Sequence, residues 1–551
     1  MIMTGRKNSV LILLIILSTI IGKLILISYG LPFITHVDEF TIIKDPLKIL
    51  LTYKQFDFSL STNLYNWLLI FWHFIVATVG IAAGSWNSYG YYLNDLSADS
   101  TKILWCFRFL NIILATAANL IFIKFILRKL QLSDLLKLLL ILVLVFNPIE
   151  WNANGFVKFD ALAYLSYALL IYYGYEYFVE RKDIQRKLYL LLFISLTVRI
   201  ENVAFVIGYI FYDFSIISAY SFNKFFSKKL LKIIAVGLLL YSVITLMPLM
   251  LFYKSTMSAK VLLSRTRTFE EVITSFVSFS NISAYTLYIK VALVLLSPVV
   301  LVGFVIQVFK NRRAENYLLI PLIIINVVLA MDRIKNVFYF LLSSVILIIY
   351  FIHFCKNINA RIAVVLSALT LFYFFSFDVE LLKHVHDYKT NQIVREKTLA
   401  LTGKSDTIIY SGIIDIGLLE NENMIRDKIT SIHEIGGGTG KGLEEKLKQA
   451  IKNPDNTRFV YQMGEDFYWG GTKYENKWLI GDDTTRLSEI DPKLIILFSF
   501  GNERFTTEPL LKSFLDKHYT KSYENKNSFA DFRMNYRNVY YFHDAYIYLR
   551  K

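Results

Sequence analysis

Residues 31–45 read LPFITHVDEFTIIKD and follow directly on an apolar run at about 10–29. The stretch contains an adjacent acidic pair, Asp38 and Glu39. Because holding a carboxylate near hydrocarbon costs several kcal/mol, acidic residues at the end of a span indicate a functional site. The alternative is an interfacial pair that caps a helix beginning near Phe40, since Asp and Glu favour helix N-termini.

The rest of the chain has the composition of a polytopic membrane protein. It has 551 residues, 55% of them hydrophobic, and a mean hydropathy of +0.46. Apolar runs of spanning or nearly spanning length recur along it. They lie at about 10–29, 64–84, 103–123, 135–148, 161–178, 188–222, 231–252, 285–309, 316–331, 337–355 and 361–378. The first run is too long for a signal-peptide core and has no small-residue cleavage site, so we expect it to remain as a span.

The formal net charge of +15 comes largely from short basic loops between the apolar runs. Lys and Arg in such loops mark the cytoplasmic side of the membrane, so the charge predicts topology and not a nucleic-acid partner. Both cysteines, Cys106 and Cys355, fall in apolar runs. They predict neither a disulfide nor a zinc site.

Keeping every basic loop in the cytoplasm resolves two ambiguous runs. The run at 64–84 then cannot cross the membrane, because a crossing there would put every later basic loop outside. We expect it to lie in or dip into the outer leaflet, where its Trp and His residues fit. The run at 188–222 is too long for one span and is predicted to be a hairpin with its apex at TVRIEN (197–202). The result is about eleven spans, with a cytoplasmic N-terminus and an outer loop at 30–102 that carries interfacial helices.

The composition changes near Asp378, where the apolar runs stop. Beyond it, strand-like segments alternate with helix-like ones. The strand-like segments are 407–412, 458–463, 493–500 and 539–549, and the helix-like ones are 442–453 and 508–519. We therefore predict a polytopic α-helical membrane module at 1–378 and an extracytoplasmic α/β domain at 379–551, in the cytoplasmic (inner) membrane.

This topology gathers the unusual polar residues at the outer face, which indicates a site there. They are Asp38, Glu39, Lys158, Asp160, Arg199, Glu201, Lys254, Arg265, Arg267, Asp332, Arg333 and Lys335.

Five segments share a pattern with a known enzyme class. They are HVDEF (36–40), Phe107-Arg108-Phe109, NGFVKFDALAYL (154–165), TVRIEN and DRIKNVFYF (332–340). Over about residues 1–350 the chain resembles the GT-C membrane glycosyltransferases, within them the protein O-mannosyltransferase and aminoarabinose-transferase group and its bacterial relatives. The first three segments are similar to the His-x-Asp-Glu opening, the Arg-containing entry to the next span and the second acidic motif. The last lacks the Arg-Tyr pair and following Pro common in the group.

The resemblance implies a GT-C-like fold and inverting transfer of a sugar from a polyprenyl-phosphate donor to an acceptor hydroxyl outside the cytoplasmic membrane. It implies no obligatory metal, with a divalent cation left open. An outward-facing site also favours a lipid-linked donor, because nucleotide sugars are cytoplasmic. The acceptor is a glycan, a lipid or a protein, and the sugar is not encoded by any motif.

Within this reading Asp38 is the predicted general base, with Glu39 orienting it or the acceptor and His36 in support. Desolvation raises the pKa of a carboxylate near hydrocarbon into the range that a base needs. Asp160 has three alternative roles, which are to position the acceptor, to ligate a divalent ion, or to form an ion pair with Lys158 or Arg199.

The phosphate leaving group calls for cations that meet its developing charge. Arg333 and Lys335 are the first candidates, and Arg265 and Arg267 are the alternative pair. The competing explanation is that they are snorkelling side chains at span ends. Arg199 and Glu201 have a similar alternative, a mutual ion pair at the hairpin apex.

Two other motifs are not predicted to be sites. GGGTGKG at 436–442 lacks the first Gly and the terminal hydroxyl of a phosphate-binding loop, so it predicts a flexible loop. His384, His386 and Asp387 could hold a metal in an extended segment, but no further ligand is nearby in sequence, and we predict none.

The rival function is a transporter or flippase for a lipid-linked or anionic substrate, in which the same charges line a pathway. The sequence shows neither the paired repeats nor the interrupted helices typical of that class. A sensor that signals through the C-terminal domain leaves the Asp38-Glu39 pair unexplained.

Overall fold

A computed structural model of the chain describes residues 6–29, 31, 39, 42, 64–98, 100–155, 157–199, 202–217, 228–246, 292–310, 313–331, 340–403, 406–411, 459–463, 491–499, 509–525 and 544–551. Its helices in chain order are α1 (Arg6–Leu26), α2 (Leu64–Ala82), α3 (Tyr89–Ala98), α4 (Ser100–Lys129), α5 (Asp134–Val145), α6 (Pro148–Ala153), α7 (Asp160–Gly174), α8 (Gln185–Leu196), α9 (Val203–Tyr212), α10 (Lys228–Tyr241), α11 (Ser297–Lys310), α12 (Leu319–Met331), α13 (Leu341–Lys356), α14 (Ala360–Asp387), α15 (Thr390–Leu401) and α16 (Pro509–His518). Its strands are β1 (Thr407–Ser411), β2 (Phe459–Met463), β3 (Leu494–Ser499), β4 (Tyr519–Asn525) and β5 (Asp544–Arg550).

Capping residues in the sequence mark the beginnings of two helices, α6 and α14. The Asn147 side chain accepts a hydrogen bond of 3.1 Å from the Ile149 amide, and Pro148 occupies the first turn of α6, where its missing N–H costs nothing. Asn359 caps α14 in the same way through the Arg361 amide, at 2.9 Å.

The long run at 188–222 is broken, as the sequence predicts. Helix α8 ends at Leu196, and α9 begins at Val203 after a turn in which the amides of Thr197 and Val198 bond to the carbonyls of Ile194 and Ser195. With 12 residues, α8 is about 18 Å long, which is shorter than a hydrocarbon core.

Three helices in the described part of the chain have the length and composition of a membrane span. They are Leu64–Ala82, Leu104–Lys129 and Ala360–Leu401, and the other apolar helices are shorter. On α14 large apolar side chains stay exposed at helical spacing, from Ile362 through Leu369 to Phe372, which is 75% exposed. Such an unpartnered apolar stripe fits contact with lipid. The number of spans and their orientation stay predictions.

Helix α2 packs only its first half against α4. The Trp72 indole donates to the Cys106 carbonyl at 2.8 Å, and the His73 ring meets the Phe107 ring edge-on, with centroids 4.3 Å apart. Further along α2, Val79 is 62% exposed. These contacts lie near the start of α4, away from its basic end at Lys129. By length and composition Leu64–Ala82 could also cross a membrane, so the outer-leaflet position predicted for 64–84 stays a prediction.

Five strands after α15 form one mixed sheet in the order β2-β1-β3-β5-β4. Strands β1, β2 and β3 are parallel, whereas β5 is antiparallel to both of its neighbours. The four strand-like segments of the sequence are confirmed as β1, β2, β3 and β5, and the helix-like segment at 508–519 as α16. The segment at 442–453 and the glycine run at 436–442 lie outside the described residues.

Helix α14 continues past Asp378, where the apolar runs end, to Asp387. The segment around His384 and His386 is therefore helical, and it is not the extended segment in which these side chains could have held a metal. Leu381 and Val385 are buried and continue the packed face of the helix at i, i+4 spacing. The helix ends at Tyr388, whose ring stacks on Tyr29 with centroids 5.6 Å apart.

Close packing between α9 and α12 depends on a glycine. A Cβ atom on Gly208 would lie 2.5 Å from Cδ of Pro321 and 2.9 Å from its backbone nitrogen. We expect Gly208→Ala to lower the free energy of unfolding by about 1–3 kcal/mol, because the proline ring cannot move aside. Thermal unfolding in detergent measures the effect. Gly90→Ala is the control, since Gly90 lies in α3 with only Ser88 Oγ within 4 Å, at 3.7 Å, and should be neutral or slightly stabilising.

Candidate functional site

Glu39 and Arg108 form a fully buried, two-pronged ion pair. Nε of Arg108 donates to Oε1 of Glu39 at 2.7 Å, and its terminal Nη2 donates to Oε2 at 2.6 Å. Both side chains are 0% exposed. The parallel geometry suits a guanidinium and a carboxylate, and it fixes the orientation of the carboxylate as well as its position.

The remaining nitrogen of Arg108 ties this pair to the first helix. Its Nη1 donates to the backbone carbonyls of Ile27 and Tyr29, each at 2.7 Å, just beyond the end of α1. These carbonyls are among those that a helix end leaves without intrahelical donors. Arg108 therefore joins α4, the end of α1 and the segment that carries Glu39.

The second acidic motif meets the first one directly. The backbone amide of Val157 donates to Oε1 of Glu39 at 2.6 Å, across 118 positions of sequence. Asp160 follows three residues later as the first residue of α7 and is fully buried. The prediction that the two acidic segments lie together is thus met for Glu39 and the 157–160 loop.

Asp160 lies between two cations. Its Oδ1 accepts from Nη1 of Arg199, and Nζ of Lys158 lies 4.0 Å from its Oδ2. The Arg199 guanidinium also stands over the Phe159 ring, 5.3 Å from its centroid. Of the three roles left open for Asp160, ion pairing with both neighbours is the one that the geometry shows.

A buried tyrosine, Tyr65, also belongs to this cluster. Its hydroxyl donates to Oδ1 of Asn111 at 2.6 Å, also contacts the backbone of Lys158, and is fully buried within electrostatic range of both Glu39 and Asp160. The preceding residue, Leu64, anchors the start of α2 through its amide, which donates to the Thr197 carbonyl at 2.8 Å.

Within the described residues this cluster holds three cations, on Arg108, Lys158 and Arg199, against the carboxylates of Glu39 and Asp160. Buried guanidinium and ammonium groups of this kind are suited to an anionic ligand group. The adjacent Asp38 would add one negative charge from the sequence.

The other predicted site residues cannot be placed. They are His36, Asp38, Glu201, Arg265, Arg267, Arg333 and Lys335, all outside the described residues. Their roles stay predictions.

Sequence reasoning missed two residues of the cluster. Arg108 was noted only as part of a motif, although a charged residue inside the 30-residue apolar helix α4 is itself a signal of function. Tyr65 gave no signal, because a tyrosine near the start of an apolar run is ordinary at a membrane interface.

Comparison with solved structures addresses the fold. Two structures of ArnT from Cupriavidus metallidurans, one in the apo state and one bound to undecaprenyl phosphate, each match over 98% of this chain and 98% of that chain, with TM-scores of 0.51 and 0.50. This chain has an ArnT-like fold. Sequence identity to ArnT is 10% in both comparisons, so the likeness concerns the fold alone. No protein-family model matches the sequence, and neither does any curated protein.

The ArnT-like fold agrees with the GT-C resemblance of the five sequence segments, because ArnT is an aminoarabinose transferase of that class. The matched region includes both the helical part and the sheet, because it covers 98% of the chain.

Proposed function

We propose that this protein is an inverting membrane glycosyltransferase that moves one sugar from a polyprenyl-phosphate donor to an acceptor hydroxyl at the outer face of the cytoplasmic membrane. Asp38 is the general base, and Glu39 fixes its position. The lipid-linked donor follows from the outward-facing topology. The ArnT structure that holds undecaprenyl phosphate supports the same class of donor.

One observation carries the proposal, namely the bond between Glu39 and the Val157 amide. It brings Glu39, the residue after Asp38 in the sequence, to the loop that leads into Asp160, in a cluster whose described residues include three cations. Transfer from a lipid phosphate requires a base for the acceptor hydroxyl and cations for the phosphate.

The chemical step forms one bond and breaks one. The acceptor oxygen attacks the anomeric carbon while its proton passes to the Asp38 carboxylate. The bond between the anomeric carbon and the phosphate oxygen breaks, and its electron pair leaves with the polyprenyl phosphate. Because attack and departure occur on opposite faces, the anomeric configuration inverts.

We assign a share in meeting the phosphate charge to Lys158 and Arg199, the described cations that pair with Asp160, beside the predicted pairs Arg333 with Lys335 and Arg265 with Arg267. No step in this scheme passes through a metal. We therefore expect transfer to continue in the presence of EDTA, with a divalent cation at most modulating the rate.

The test is transfer by the purified chain in proteoliposomes, with a panel of polyprenyl-phosphate sugars and, separately, nucleotide sugars. Glycan analysis of a deletion strain supplies candidate sugars and acceptors for the panel. Transfer from a lipid donor and none from nucleotide sugars is expected. Movement of the lipid donor across the bilayer without any sugar transfer would instead establish the transporter.

Charge removal at Lys158 tests the cation assignment. We expect Lys158→Met to lower kcat/KM for the donor about 10- to 100-fold, the size of one charge-assisted hydrogen bond at roughly 1.5–3 kcal/mol. Steady-state kinetics against donor concentration measure the change. The matched control is Lys187→Met, because Lys187 is exposed at the start of α8 and should leave the kinetics unchanged. Equal kinetics for both variants would remove Lys158 from the donor site.

A further inference from the structure

A second buried charge cluster lies beside the site and enters neither the sequence prediction nor the proposed chemistry. Lys23 on α1 forms an ion pair with Oε1 of Glu150 on α6, and both side chains are at most 3% exposed. The Asn154 side chain donates to the same oxygen at 2.8 Å. The Lys23 ammonium also lies over the Trp151 ring, 5.6 Å from its centroid.

This pair ties α1, whose end orients Arg108, to the short helix that leads into the loop where Val157 bonds to Glu39. Lys23 lies one helical turn before Ile27, whose carbonyl orients Arg108. Glu150 lies on the short helix that leads through Asn154 to Val157, whose amide bonds to Glu39. Displacing α6 relative to α1 would therefore pull the two ligands of the Glu39 carboxylate apart.

We propose that Glu150 is a positioning residue for the transfer site. Held by Lys23 and Asn154, it sets the distance between the end of α1 and the 154–160 loop, and so the place of Glu39 and of the adjacent Asp38. This inference rests on the proposed transferase function for its kinetic test, but its structural test does not.

A third charged residue provides the matched control. Asp378 on α14 is 1% exposed and lies within electrostatic range of both Glu150 and Lys23. Neither of its carboxylate oxygens has a hydrogen-bond partner among the described residues. Among the described residues Lys23 thus forms an ion pair with Glu150 and not with Asp378. Asp378 bonds to neither α1 nor the 154–160 loop, so it cannot set their spacing.

Replacing each acidic side chain by its amide is therefore expected to have different effects at Glu150 and at Asp378. We expect Glu150→Gln to lower kcat at least tenfold, because the base is displaced, and to change the donor KM less than kcat, because only Lys158 among the proposed donor cations lies on the 154–160 loop. We expect Asp378→Asn to keep kcat within twofold, since Asp378 has no hydrogen bond to α1 or to the 154–160 loop among the described residues. Equal losses in both variants would overturn the assignment.

A charge swap separates positioning from direct chemistry. The double variant Lys23→Glu with Glu150→Lys keeps the ion pair and the total charge, and the unpartnered Oδ1 of Asn154 can accept from the new lysine. We expect it to recover at least half of the wild-type kcat. A folded swap variant that stays inactive would show that Glu150 does more than position the site. This result distinguishes the two roles even if Glu150→Gln does not fold.

Hydrogen–deuterium exchange gives a readout without substrate. The Val157 amide should exchange at least tenfold faster in Glu150→Gln than in wild type, with Asp378→Asn and the swap variant close to wild type. Unchanged exchange in Glu150→Gln would refute the positioning role. If wild type transfers no sugar from any donor but the exchange pattern holds, the transferase proposal fails and the positioning proposal stands.

Discussion

Replacing Asp38 by Asn should lower kcat for sugar transfer by about 10²–10⁴-fold, with the donor KM close to the wild-type value. This is the range for loss of a general base, because the acceptor proton then has no carboxylate to receive it. Binding should survive, since Asn has the shape of Asp and the cations that meet the phosphate are unchanged.

The measurement is single-turnover transfer in detergent or proteoliposomes, with donor bound in excess of its KM. Asp134→Asn is the matched control, because Asp134 is exposed at the first turn of α5, far along the chain from both acidic motifs. Full activity of Asp38→Asn would remove Asp38 as the base.

The neighbouring carboxylate is poorly suited to that task. Oε1 of Glu39 already accepts from both Arg108 and the Val157 amide, and Oε2 accepts from Arg108 as well. Three donors, two of them on the Arg108 guanidinium, thus occupy both oxygens of this carboxylate, which suits it to holding its segment in place and not to contacting the acceptor hydroxyl. This division supports the roles assigned from the sequence, in which Glu39 orients and Asp38 reacts.

The sequence predicted most elements whose signal is local. Hydropathy and segment length located the helices, and the excess length of 188–222 predicted the break before Val203. The four apolar strands were also found. Strand β4 was missed because its residues Lys521 and Glu524 are charged and its side chains are mostly exposed at the sheet edge, so no apolar alternation marks it.

Pairings between distant segments could not be predicted in the same way. The topology argument placed Glu39 and Asp160 on one face, but it contains no information on which side chains touch there. The Glu39–Arg108 bond spans 69 positions and the Lys23–Glu150 bond spans 127. Each depends on how helices pack, and helix packing is set by side-chain shape over many residues and not by a local pattern.

Replacing Arg108 by Leu should lower the free energy of unfolding by about 3–5 kcal/mol and abolish transfer. The substitution leaves the Glu39 carboxylate buried without its main partner, and it strips the carbonyls of Ile27 and Tyr29 of a donor. Denaturant or thermal unfolding in detergent measures the loss. The control is Lys102→Ala, because the Lys102–Asp95 pair is substantially exposed and should contribute about 0–1 kcal/mol.

The double variant Arg108→Leu with Glu39→Leu separates stability from function. With both charges gone no uncompensated ion stays buried, so most of the lost stability should return. Transfer should stay absent, because Val157 then has no acceptor at Glu39 and the segment carrying Asp38 is held by apolar packing alone, without the directional bonds that orient it. A double variant that regained both stability and activity would show that the ion pair is only a structural tie, and that the base is placed by contacts elsewhere.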